Sequence, residues 1–148
     1  MIKDSYANLL NSKKNHELYP GVSQNQIDEF EKFNGIVLPE QLKMLYMCFD
    51  GGEIFIPGTT IYGIRFAEKQ DSLCARNEKY HVNSSIPNNY IVFARLNYGD
   101  LICVNLNEPN DVIQWDHESD EVFCYWDDID SWLMEAIADF EDYMAGEE

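Results

Sequence analysis

The chain has 148 residues, 45% of them hydrophobic, which is enough apolar matter for one ordinary core and too little for two. Its formal net charge of −17 disfavours nucleic-acid phosphates and anionic membrane surfaces as partners, and no run of roughly 18 apolar residues is available to cross a bilayer. The four cysteines, Cys48, Cys74, Cys103 and Cys124, show no C-x-x-C spacing, which argues against structural zinc and against a disulfide framework.

Met1 to Leu18 carries Lys3, Asp4, Lys13, Lys14 and Glu17, so it lacks the apolar centre of a secretory signal, and the expected location is cytoplasmic. Ser23 followed by Gln26 is a capping-box pattern, with Val22 and Ile27 placed as a hydrophobic staple. Ile27, Phe30 and Phe33 then recur at helical spacing until Asn34-Gly35. In LPEQLKMLYMCFDGGEI, Pro39 suits the first helical position and Glu40 the positive end of the dipole, while Leu42, Leu45, Tyr46 and Phe49 form one stripe. Gly51 and Gly52 are expected to end that helix.

Short strands are expected at Ile54–Ile56 and Thr60–Ile64, divided by Pro57-Gly58. Between Phe66 and Asn89 the pattern is weak, with a helix at Leu73–Tyr80 and a loop from Asn83. Four runs rich in β-branched and aromatic residues follow, at Tyr90–Leu96, Leu101–Leu106, Val112–Trp115 and Val122–Trp126. The turn-forming clusters Asn97–Asp100, Asn107–Asn110 and His117–Asp120 separate them, and links this short predict an antiparallel meander. Asp127 or Asp128 then caps a closing helix with Ile129, Trp132, Leu133, Ala136, Ile137 and Phe140 along one face. The expected fold is α+β: a single domain over residues 1–148, core at about 20–144, with a central, mostly antiparallel meander of about four to six strands. N-terminal helices and a C-terminal helix pack on that sheet.

Three stretches, in this order, carry a resemblance to a known family. LPEQLKMLYMCFDGGEI has a Leu-Pro, helix, Gly-Gly pattern; IVFARLNYGDLICVNL has a strand, Gly-Asp, strand pattern; a Trp/Asp-rich strand then leads into IDSWLMEAI. Over about residues 20 to 140 the chain resembles the SUKH superfamily of SMI/KNR-type proteins. The resemblance implies an α+β domain. It also implies, for many bacterial members, an immunity protein that neutralises a polymorphic or contact-dependent toxin, often a nuclease. Others are eukaryotic cell-wall-assembly regulators that act as intracellular interaction modules. By position the family pattern falls on Pro39, Gly51, Gly52, Gly99 and Asp100. Backbone geometry suffices to explain the proline and the glycines, whereas Asp100 either caps its turn or faces a partner. The weak stretch from Phe66 to Asn89 leaves the subfamily, and hence the toxin, open.

His16, His81 and His117 are isolated in sequence and read as surface residues. Asp116-His117-Glu118 with Asp120 lacks the glycine and ligand spacing of an EF-hand and reads as a hairpin turn with solvated charges. A metal-dependent hydrolase using Asp116, His117 and Asp120 is the enzyme alternative. The glycines form no nucleotide-binding loop. No catalytic residue, metal ligand or cofactor is expected.

Charge is the strongest signal. Residues 1–95 hold all 10 basic residues and 11 acidic ones, whereas residues 96–148 hold 16 acids and no base, Arg95 being the last cation. Glu141 and Asp142 near the end of the closing helix oppose its dipole, at a cost of about 0.3–1 kcal/mol each. Stability alone does not select them. The expectation is an acidic face that docks a cognate basic toxin domain. Its expected contact residues are Asp116, Glu118, Asp120, Glu121, Asp130, Met134, Glu135, Asp139 and Asp142. Trp115, Trp126, Tyr98 and Tyr125 are candidate anchors wherever they are exposed. The alternatives are a non-catalytic scaffold or regulator of SMI/KNR type, and a solvated acidic surface that only confers solubility.

Overall fold

A computed structural model describes residues 16–54, 58–65, 72–108 and 110–146. Met1 to Asn15, Phe55 to Pro57, Phe66 to Asp71 and Pro109 lie outside the described residues, and with them parts of the expected N-terminal segment, first strand, weak stretch and second turn.

Strand β1 (His16–Pro20) leads into α1 (Gln24–Asn34). The capping box forms: Ser23 Oγ accepts from the Gln26 N–H and Gln26 Oε1 accepts from the Ser23 N–H. Gly35 closes the helix at φ 66°, a left-handed conformation open to glycine without strain. Ile27 is buried, but Phe33 is 90% exposed. The apolar stripe therefore stops at Phe30, because the last turn of α1 projects past the core toward Ile64 and Arg65.

Helix α2 (Glu40–Cys48) buries Leu42, Leu45 and Tyr46. Two details differ from the expectation. Pro39 is the residue before the helix rather than its first, and the helix ends at Cys48, ahead of the glycines. Phe49 is already extended and opens β2 (Phe49–Ile54), so Gly51 and Gly52 lie within a strand at φ 79° and 128°. Close approach of backbone explains them. A methyl group on Gly52 would come 2.2 Å from the Glu17 carbonyl oxygen, and one on Gly51 2.5 Å from that of Ile61. The glycine pair thereby lets β1 and β3 (Thr59–Ile61) close on β2 from its two sides.

Helix α3 (Leu73–Asn83) is capped by Ser72, whose Oγ accepts from the Ala75 N–H, and runs a turn beyond the expected Tyr80. Strands β4 (Tyr90–Arg95), β5 (Leu101–Asn105), β6 (Val112–Asp116) and β7 (Glu121–Trp126) follow, then α4 (Ile129–Gly146). All seven strands form one antiparallel sheet in sequence order. The meander is longer than expected because β1 joins as an outer strand and β2 begins earlier, at Phe49.

Antiparallel partners share a face of the sheet, which locates the covering helices. Trp115 shares a cleft with Tyr80 and Ser84 at the end of α3. Val112, three positions away and so on the opposite face, pairs with Trp126, whose indole N–H donates to Glu135 of α4. The sheet thus lies between α3 and α4, and β5 is buried at every position. Trp132 of α4 meets Phe93 of β4 edge to face, with ring centroids 5.4 Å apart. On the other side β3 reaches only Ala94 and Arg95 of β4. Beyond it, Asn77 of α3 donates to the Val92 carbonyl and accepts from the Val92 N–H, both at 2.8 Å, and His81 lies 2.8 Å from the Tyr90 carbonyl. No helix among the described residues is long and apolar enough to cross a membrane.

The two kinds of glycine predict unequal effects on stability. Gly35→Ala meets nothing within 4 Å and is expected to lose only about 1 kcal/mol through its φ. Gly52→Ala adds a backbone collision and is expected to lose about 3 kcal/mol or more. Urea unfolding of the two variants measures the difference.

Candidate functional site

The turn between β4 and β5 carries Asp100, a buried carboxylate. Its Oδ1 accepts from the His117 backbone N–H at 3.1 Å and from the His117 ring Nδ1–H at 2.6 Å, and its Oδ2 accepts from Gln114 Nε2 at 2.8 Å. Burial pushes this carboxyl upward, but the bonds from Gln114 and His117 outweigh it and hold Asp100 below the ordinary aspartate value. Gly99, at φ 106°, leaves room for the His117 ring: a methyl there would lie 2.9 Å from Nε2. Asp100 therefore ties two turns together.

Asp120 acts as a second tie. At φ 56° it is the non-glycine residue in left-handed conformation among those described, and aspartate tolerates that region better than most. Its carboxylate accepts from the Ser85 N–H at 3.0 Å, Ser85 Oγ–H at 2.5 Å and Trp115 Nε1–H at 3.0 Å. The Ser85 bonds lower its carboxyl below the ordinary value. Asp116 Oδ1 accepts from the Glu118 and Ser119 N–H groups, closing the β6–β7 turn. Asp128 caps α4 through the Ser131 N–H at 2.7 Å.

The residues expected to contact a partner thus fall into two groups. Asp116, Asp120 and Glu135 spend carboxylate oxygens on internal bonds, and Asp130 is half-buried with its N–H donated to Gln41. Glu118, Glu121, Asp139 and Asp142 are exposed, as is Met134. The candidate anchors divide likewise: Trp115 is core and Trp126 half-buried, whereas Tyr98 and Tyr125 are 59% and 71% exposed.

Phe123, 66% exposed, was not singled out from the sequence. The alternation of Val122–Trp126 indicates that every second residue points outward, but not which set. In the structure β7 is the last strand, Glu121, Phe123 and Tyr125 are its exposed set, and a register shift opposite Gln114 and Trp115 makes Phe123 an extra, bulged residue.

These groups connect. Gln114 Nε2 donates to the Tyr98 hydroxyl at 3.0 Å and Gln114 Oε1 lies 3.7 Å from Cys124 Sγ, while Trp126, on the same face as Cys124, reaches Glu135. The line runs from the β4–β5 turn across β6 and β7 to α4. Burial raises the Cys124 thiol, and the Glu135 and Asp100 carboxylates raise it further, so the potential along the line is negative.

As for metal chemistry, the structure groups Asp100, Asp116 and His117, with ligand-type atoms within 4.8 Å of one another, and turns Asp120 away to Ser85. The set Asp116, His117 and Asp120 is not the one brought together. His81, read from the sequence as a surface residue, is a half-buried residue of α3. Pro39, Gly51, Gly52, Gly99 and Asp100 each have a structural place described above.

A family model described as SMI1 / KNR4 family (SUKH-1) matches residues 21–135. No curated protein matches the chain.

The lowered carboxyls of Asp100, Asp120 and Asp128 predict acid sensitivity. A group whose folded pKa is depressed contributes stability above its unfolded value and loses it as the pH falls through the folded one. The urea midpoint is therefore expected to hold down to about pH 4 and to fall steadily below it. Asp100→Asn is expected to start lower at neutral pH and to lose less on acidification.

Proposed function

This chain belongs to the SMI1 / KNR4 family (SUKH-1), and we propose that it is an immunity protein that binds and neutralises a cognate basic toxin domain. The family is consistent with a protein-binding, immunity-type role in general and is generally non-enzymatic. The finer reading rests on one observation: exposed aromatic residues and exposed carboxylates share the β7 end of the molecule, in a stretch, residues 96–148, that has no lysine or arginine.

Each component suits a cationic protein partner. Glu118, Glu121 and Asp139 are exposed and act at a distance, raising the rate of encounter with a basic surface. Phe123, Tyr125 and Tyr98 offer apolar area that a partner can desolvate, which slows dissociation. A nuclease toxin has to hold phosphates with cationic groups, so an acidic inhibitor covers the same groups that the substrate would occupy. Binding one to one at that surface is sufficient for neutralisation.

Growth and co-purification test the reading. Co-expression of this chain with the toxin encoded beside it is expected to restore growth and yield an equimolar complex. A complex with no toxic partner would instead favour the regulator or scaffold role. Glu118, Glu121 and Asp139 changed together to lysine are expected to lower the on-rate about tenfold or more at low salt and to flatten its salt dependence. Phe123→Ala and Tyr125→Ala are expected to act mainly on the off-rate, each costing about 1–2 kcal/mol. Unchanged rates in the charge variant would reject the acidic-face mechanism.

A further inference from the structure

A second feature lies beside this surface, on the α3 side of the sheet. A cleft of about 320 Å³ opens between the last turn of α3 and the β6–β7 turn, lined among others by Tyr80, Asn83, Gly99, Trp115, His117 and Asp120. We propose that this cleft is a receptor for a single arginine side chain presented by a partner. The proposal rests on the reading of a basic partner and adds which cation is recognised and where.

Acceptors converge on the cleft and are already oriented. The Asp120 carboxylate takes four hydrogen bonds from Ser85 and Trp115, two on each oxygen, with the Ser85 N–H shared between both. It is held in place, exposed, and brings its negative charge to the cleft wall. The ionised Asp100 only accepts, so His117 gives it the Nδ1 proton, and in the neutral ring Nε2 then carries a lone pair. That nitrogen lies against Gly99, which also lines the cleft, and 3.9 Å from the Glu118 carboxylate, which adds a further negative charge beside it. The third contribution is α3 itself, which ends here at Asn83 and directs the negative end of its dipole toward the opening.

The walls decide between the two common cations. Tyr80 and Trp115 contribute aromatic surface, which attracts a cation and suits a flat one best. A guanidinium is planar, sheds water more readily than an ammonium and donates in several directions at once, matching acceptors that come from separate elements. Lysine would meet the same site as a compact point charge and use only part of it. Anionic ligands such as phosphates would meet Asp120 and the helix end unfavourably.

L-arginine amide, lysine amide and citrulline amide, the neutral near-isostere, are the probes, used with the full chain. The readout is the indole N–H resonance of Trp115, identified as the one of three that persists in both Trp126→Phe and Trp132→Phe. Arginine amide is expected to shift that resonance saturably, with citrulline amide about tenfold weaker or worse and lysine amide between them. Asp120→Asn tolerates the left-handed backbone and is expected to weaken arginine amide about tenfold. His117→Phe leaves Asp120 in place and is expected to weaken it too, which guards against a folding defect in the first variant. Equal affinity for citrulline amide, or saturation without movement of Trp115, overturns the proposal. Should a basic partner bind while arginine amide leaves Trp115 unmoved, the cleft assignment alone falls. Should arginine amide bind at Trp115 while no basic partner is found, the immunity reading falls and the cleft stands.

Discussion

Burial of the β4–β5 hairpin on both faces is the constraint from which the rest of the architecture follows. A strand with every side chain buried needs a covering layer above and below, and here α3 and α4 supply one each. α4 does so with a conventional apolar face led by Ile129, Trp132 and Leu133. Of α3 only Leu73 is fully buried, and that helix is fixed instead by polar bonds from Asn77 and His81 to the backbone of β4. Those bonds also satisfy backbone groups that the short strand β3 does not reach. With both faces occupied, surface for recognition is left at the last strand and at the turns.

The acids of the second half serve two purposes that composition cannot separate. Asp100, Asp116, Asp120 and Asp128 accept N–H bonds in turns and at a helix start, where a short acidic side chain replaces a missing backbone partner. Ionisation strengthens these bonds at Asp100, Asp120 and Asp128, whose carboxyls are held below the ordinary value. Glu118, Glu121, Asp139 and Asp142 are different. They stand exposed on a surface of like sign, and α4 has no basic residue in its last turn to suit its dipole. Glu118 lies 3.9 Å from His117 Nε2, and on the proposed reading the exposed charge of this group serves an encounter outside the molecule.

Much of this order is written in local chemistry. The capping box at Ser23 and Gln26, the glycine after Asn34, the strands from Tyr90 onward and the apolar face of α4 depend on neighbours within a few residues, and they appear where the sequence places them. What was illegible depends on contacts between distant segments. Gly51 and Gly52 look like a helix stop until β1 is known to press against one and β3 against the other. β1 itself, ending in Pro20, has no strand pattern and forms because β2 offers an edge. Phe33 keeps helical spacing but lies beyond the core, and Phe123 alternates with its neighbours in the sequence while the bulge it occupies is set by pairing with β6. Asp120 resembled the other acids of its turn because its partners, Ser85 and Trp115, come from elsewhere in the fold or across the hairpin.

In the proposed complex, charge and aromatic surface at one edge act on different stages of association. Carboxylates influence a partner over roughly a Debye length, about 8 Å at physiological ionic strength, and so act before contact. Aromatic rings act only once water has left them. Tyr125 sits opposite Ile113 of β6, Phe123 is held between the paired residues Val122 and Cys124, and Tyr98 is held through Gln114, so little backbone ordering remains to oppose their burial. Held this way, the rings favour a partner whose apolar groups match their spacing, while the surrounding carboxylates penalise one that brings acids of its own. Selectivity then arises from the two requirements together: a cationic surface without the matching apolar groups arrives quickly and leaves, and an apolar surface without the charge arrives slowly.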